Sequence, residues 1–355
     1  MKLRDRDAIV TREGLIFRVF GYTHPQNAYI CDIEYSPSSL FNSANPRAPR
    51  GTGEQAFYKF YEDEGWKFLE SNFPRNLVLH EMLGKKTIGV EHKDIAEIRK
   101  PEEALQKLVE RKPEDELVEA LQTLLELVTT NSGLSSKSFG VFGSVLHGFH
   151  HPKLSDIDLV VYGRNELSRL RETLQAQYQA DGAVLANEFS TEEAVRGKRW
   201  RFKNLSPEEF VWHQRRKLIY ALFSRTKSCR AIKTEFEPVK KWEEISSEYD
   251  SEARIVQKGW VRILAHVADD ADAPFMPSIY RIEPTRILEG PRDAGEAVRV
   301  VSYMEEFRMQ ARRDETAYVE GNLEEVTTRN GSFRQVALTY CPRYYEQVLK
   351  VASPS

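Results

Sequence analysis

Residues 139–163 read FGVFGSVLHGFHHPKLSDIDLVVYG. One apolar run ends in Gly143-Ser144, and eleven residues later the next opens with two aspartates flanking Ile157. Two short apolar runs separated by a polar, His-rich turn predict strand, turn, strand. Alternation along DIDLVVY puts Ile157, Leu159 and Val161 on one face and Asp156 and Asp158 on the other. Their Cα atoms stand about 6.6 Å apart at the usual strand rise. Two like charges that close raise each other's pKa unless something positive sits between them. Carboxylates are hard oxygen ligands, and Mg²⁺ is held by one or two of them together with substrate phosphates. Two such ions about 3.5–4 Å apart stabilise both the attacking and the leaving oxygen in phosphoryl transfer.

The first strand complements this. Glycine at 143 lets phosphate oxygens approach the backbone without a Cβ in the way, and Ser144 offers its N–H and Oγ to the same anion. Taken alone, an aspartate pair at a strand start also suits a solvated edge strand.

The pattern Gly-Ser, eleven residues, Asp-Ile-Asp resembles the signature of the nucleotidyltransferase superfamily related to DNA polymerase β. That superfamily includes CCA-adding enzymes, poly(A) polymerases, aminoglycoside nucleotidyltransferases and small MNT-type enzymes. The chain as a whole looks like an uncharacterised archaeal branch of it. The resemblance implies an α/β (α+β) fold with a small mixed sheet, and nucleotidyl transfer from a nucleoside triphosphate. It implies triphosphate contacts at Gly143 and Ser144, with Lys153 a further candidate. It also implies two Mg²⁺ ions, or Mn²⁺ in their place, on Asp156 and Asp158. A third acid on a later strand completes the family's site. The usual residue is Asp, and no strand here offers one in the right place. The stretch AIKTEFEPV offers Glu235 and Glu237 on one face. In CCA-adding enzymes the third acid stands three residues before a proline, as Glu235 does before Pro238, so Glu235 is favoured, with Glu237 and no third acid as the alternatives.

Charge asymmetry points to a partner. Residues 196–241 hold fourteen Lys/Arg and four Glu, a local +10 in a chain of net charge −3. Such a surface suits a polyanion. Within it, RGKRWRFKN interleaves Trp200 and Phe202 with cations that include Lys198, Arg199, Arg201 and Lys203. Bases stack on aromatics and phosphates pair with cations, so this stretch suits a nucleic acid or the incoming nucleotide, and the local +10 makes RNA the preferred acceptor. The other reading is a solvated basic loop whose aromatics face the core. His147, His150 and His151 crowd the turn, but a zinc site wants further ligands and no cysteine is near. They are read as loop filling, with a phosphate contact by one of them left open.

Four regions are expected. Residues 1–50 form a β-rich segment, 51–110 a mixed helical connector, 111–245 the nucleotidyltransferase domain and 250–355 a small barrel or sandwich of short strands. Helices are expected over FYKFYEDEGWKFLESNF, over PEDELVEALQTLLELVTTNSG, where Leu117, Val118, Leu121, Leu124, Leu125 and Val128 share one stripe, and over SPEEFVWHQRRKLIYALF. The three cysteines match no metal or redox spacing, the N-terminus leads into no apolar signal core, and no apolar run approaches the roughly 20 residues that span a bilayer. A cytoplasmic protein without membrane partners is expected. Rival readings are transfer to a protein or a small molecule, and a non-catalytic RNA-binding or regulatory module on the same scaffold.

Overall fold

The computed structural model describes residues 2–51, 56–197, 199–224, 230–247 and 249–352. Its contacts divide the chain into two units. The first comprises Met1–His80, Lys85–Asn187 and Ile219–Ser247; the second comprises Glu81–Gly84, Glu188–Leu218 and Glu248–Ser355.

The first unit opens with β1 (Ala8–Thr11), β2 (Ile16–Val19), β3 (Ala28–Pro37), β4 (Pro49–Arg50) and β5 (Phe57–Lys59). Helix α1 (Glu64–Asn72) follows, then β6 (Leu77–His80), β7 (Lys85–Glu91) and β8 (Ile95–Arg99). The strands form an eight-stranded sheet, ordered β4-β5-β3-β2-β1-β8, with the β6–β7 hairpin joined to the other end of β3. Residues 51–110 thus contribute four strands to the sheet begun by the first forty residues. FYKFY lies partly in β5 because it pairs with Tyr35–Pro37, and only the segment after Asp63 is helical. One face of the sheet buries Ile9, Phe17, Val19, Cys31 and Ile33 against Phe68 and Leu69 of α1. A register shift between Ile16 and Phe17 turns Tyr35 to the other face. There it packs with Val10, Ile16 and Phe149.

Next come α2 (Pro101–Val109), α3 (Glu116–Ser132), β9 (Phe139–Val141), α4 (Gly143–His147), β10 (Ile157–Tyr162), α5 (Arg164–Gln179) and β11 (Leu185–Asn187). Asp115 caps α3 by accepting the N–H groups of Leu117 and Val118, and Gly133 ends it in the left-handed conformation. The expected apolar stripe of α3 is buried throughout. Helix α6 (Pro207–Lys217) of the second unit starts with a capping box between Ser206 and Glu209. It ends sooner than expected, because Leu218 adopts φ 54° and IYALF continues as a strand. That strand, β12 (Tyr220–Phe223), and β13 (Ile232–Val239) complete a five-stranded sheet ordered β11-β12-β13-β10-β9. Strands β10 and β13 run parallel and the other pairs antiparallel. Mixed sheets covered by helices of this kind match the expected α/β class.

In the second unit, β14 (Arg254–Asp272), β15 (Ser278–Glu289), β16 (Ala297–Ser302), β17 (Thr316–Thr328), β18 (Gly331–Leu338) and β19 (Val348–Val351) follow. Pairing runs β14-β15-β16-β18-β17 and returns from β17 to β14, so the strands close into a barrel. Alternate residues Val261, Ile263, Ala265 and Val267 fill its interior. No helix among the described residues is long and apolar enough to cross a membrane.

Candidate active site

Strand β9 and helix α4 meet at Gly143, whose φ of 62° lies where side chains are disfavoured. Space makes the same demand: a Cβ built there would stand 2.6 Å from Asp158 Oδ2. The glycine therefore lets the start of α4 close on the carboxylate of the neighbouring strand. Ser144 follows, with its Oγ 3.4 Å from Ser155 Oγ. Ser155 Oγ in turn accepts the His151 N–H at 2.9 Å, which folds the turn back beside Ser144.

Strand pairing assembles the carboxylates. Across the parallel pair β10/β13, Asp158 is the register partner of Glu235, and Val160 is that of Glu237. Register partners in a parallel pair share a face, so Asp158, Glu235 and Glu237 project from the same side of the sheet. Asp156 stands just before β10 and is half-exposed; Arg230 Nη2 lies 3.9 Å from its Oδ1 and donates to the Ser155 carbonyl at 2.8 Å. Burial, reinforced by the charge of Asp156, pushes the Asp158 pKa up to about 7, while Lys59 pulls against this. A carboxylate so destabilised as an anion gains from a divalent cation beside it. The donors are all hard oxygens, and this chemistry fits Mg²⁺.

The two β13 acids differ. Glu237 is buried and accepts a 2.8 Å hydrogen bond from Arg6 Nη2, itself fully buried. Asp5 Oδ2 adds a second contact to Arg6 at 3.8 Å. Glu237 is thus bound into an internal ion pair, whereas Glu235 is only partly buried beside Asp158. The ligand atoms of Asp156, Asp158 and Glu235 do not all come within 4.8 Å of one another. Among the described residues the set that does is Glu114, Asp115 and His150. There, Asp115 Oδ1 already caps α3, and its Oδ2 bonds His150 Nε2 at 2.8 Å.

The other turn histidines are also held. His147 Nδ1 lies 3.1 Å from Arg99 Nη1. Burial and then the Arg99 cation draw its pKa down to about 3, so the ring is a neutral acceptor. Lys153 and His151 are exposed, and the Lys153 N–H donates to His151 Nδ1 at 3.1 Å.

The basic segment belongs to the second unit. Lys198 lies outside the described residues. Trp200 and Phe202 pack against the barrel core, and Trp200 Nε1 donates to the Leu205 carbonyl at 2.6 Å. The Arg201 guanidinium covers the Tyr345 ring at 4.1 Å, and Lys203 Nζ bonds Glu346 at 2.9 Å. Arg199 is exposed. The aromatics of this stretch serve the core, so its solvent face is one of cations.

Three neighbours of the carboxylates were not singled out from the sequence: Arg6, Lys59 and Arg230. Nothing in local spacing marks them. Lys59 sits in a stretch that reads as helix.

Residues 121–236 match the nucleotidyltransferase domain family. Over 354 residues, 99% of both chains, the protein is 27% identical to an uncharacterised protein of Methanocaldococcus jannaschii. No solved structure matches the chain.

Proposed function

Starting from a chain whose residues 121–236 form a nucleotidyltransferase domain of the DNA polymerase β-like superfamily, we propose metal-dependent transfer of a nucleoside monophosphate to a hydroxyl acceptor. The observation that carries this reading is the register pairing of Asp158 with Glu235 beside Gly143. Asp156, Asp158 and Glu235 would hold Mg²⁺, which supplies neutralisation of the phosphate charge. The backbone at Gly143 and the N–H and Oγ of Ser144 grip the triphosphate, with Lys153 in the same turn as a further cation. The acceptor oxygen bonds to the α-phosphorus as the bond to the bridging oxygen breaks, and pyrophosphate leaves with the electron pair. The Glu235 carboxylate takes the hydroxyl proton. Fixed positioning and charge stabilisation supply most of the rate.

The acceptor we favour is RNA, on the strength of the local +10 over residues 196–241 and the cationic face of Arg199, Arg201 and Lys203. A second reading, a protein or small-molecule hydroxyl, is favoured by the packing of the partly buried Trp200 and Phe202 against the barrel core, which takes ring surface away from bases. Incubating the full chain and its Asp158→Ala variant with each labelled nucleoside triphosphate tests both. Total RNA, total protein and small metabolites serve as separate acceptor pools. Label should enter one pool, require Mg²⁺ and vanish in the variant. Equal labelling by the variant, or none by either protein, overturns the transferase reading.

A further inference from the structure

The N-terminal sheet has two faces, and only one is accounted for by its own core. The other carries Val10 and Ile16, and, past the register shift, Tyr35. Strand β5 continues this face. Tyr35 is the register partner of Lys59, and Pro37 that of Phe57, so Phe57 and Lys59 project on the Tyr35 side.

This face packs on the segment that follows the Gly-Ser pair. The Tyr35 ring meets Phe149 edge-on at 4.8 Å and His147 at 5.5 Å. Phe57 meets Phe149 at 5.3 Å. Two residues along β5 from Phe57, Lys59 is therefore held at the margin of the carboxylate site, where its charge acts on Asp158. Among the described residues its side chain makes no ion pair or hydrogen bond, and it is only partly buried. A cation kept beside an anionic site but bonded to no single carboxylate is placed for an anionic ligand.

We propose that Lys59 is a triphosphate-binding residue, delivered to the nucleotidyltransferase site by the N-terminal sheet. The inference rests on the nucleotidyltransfer reading above and adds a source of positive charge outside the matched domain. In it, the sheet is one wall of the reaction site. Lys59 donates to a β- or γ-phosphate oxygen and stays with the pyrophosphate as it leaves, while the ring packing of Tyr35 and Phe57 on Phe149 fixes its distance from Gly143 and Ser144.

The test is binding by the full chain, in Mg²⁺, of the four α,β-methylene nucleoside triphosphates and the four nucleoside monophosphates. Lys59→Ala and Lys59→Met should each weaken the best triphosphate analogue about tenfold, the order of one charge-assisted hydrogen bond, and leave the monophosphate within about twofold. Lys59→Arg should keep most of the affinity. Melting temperatures without nucleotide report folding, and the Met variant keeps the apolar stem should the Ala variant fold poorly. If both folded variants bind the analogue as the wild type does, or lose triphosphate and monophosphate alike, the inference falls while the transferase reading stands. A wild type that binds none of the analogues overturns both.

Discussion

Arg6 and Glu237 lie 231 positions apart and form a 2.8 Å ion pair with both side chains buried. The pair joins the start of the N-terminal sheet to the strand that carries Glu235. It also distinguishes the two acids that β13 places on one face. Glu237 has its countercharge inside the protein, whereas Glu235 is the partly buried register partner of Asp158.

Removing one partner of this pair should cost stability rather than chemistry. An uncompensated charge in such a site is worth about 3–5 kcal/mol. Arg6→Met and Glu237→Leu are each expected to destabilise by that order in urea titrations. The double variant should recover about half of the loss or more, because the charges go together. Asp5 stays bonded to the Gly21 N–H at 2.8 Å. A double variant as unstable as the sum of the singles would contradict the pairing.

The acids on the proposed site should behave in the opposite way. Asp158→Ala and Glu235→Ala are expected to lower nucleotidyl transfer by at least about a thousandfold, in line with losing a group that acts on the transition state. Melting temperature should hold or rise, since truncating Asp158 relieves a carboxylate whose pKa is already pushed up to about 7. Transfer that persists in Glu235→Ala and fails in a folded Glu237→Ala would exchange their roles.

Much of this arrangement was legible in the sequence where short-range pattern decides it. The Asp-Ile-Asp strand start, the Gly-Ser turn, the α3 stripe and the Ser206 cap are local, and each stands where its spacing put it. What escaped depends on distant partners. Helix propensity continued α6 through IYALF, but β13 pairs with those residues as β12. Trp200 and Phe202 look alike as base-stacking or core groups until the barrel is present to bury them. Arg6 and Lys59 carry no local mark, because the register and hydrogen-bond contacts around them join residues far apart in sequence.

His147 should make the fold sensitive to acid. Its partly buried ring accepts from Arg99, and desolvation holds the folded pKa at about 3 against 6.5 when unfolded. The unfolded chain thus binds the proton first. The contribution of the neutral ring is complete above pH 6.5 and is lost as pH falls from 6.5 towards 3. By pH 5 the loss is on the order of 2 kcal/mol. His147→Gln keeps an acceptor for Arg99 and removes the titration. Urea midpoints from pH 7 to pH 4 should therefore fall less steeply in that variant, and parallel slopes would exclude this histidine as the source.

Gly143→Ala is expected to separate folding from catalysis at the turn itself. The left-handed backbone costs a side chain about 1–2 kcal/mol, which a domain of this size survives. The added methyl would also lie 2.6 Å from Asp158 Oδ2, so the carboxylate or the start of α4 has to move. Displacements of about 1 Å in a reacting centre cost about a hundredfold in rate. The variant should melt only a few degrees lower, yet transfer the nucleotide at about 1% of the parent rate or less. A melting curve and a single-turnover rate on the same preparation check both halves. Near-parental transfer by Gly143→Ala would mean that the close approach of α4 to Asp158 contributes nothing to the reaction.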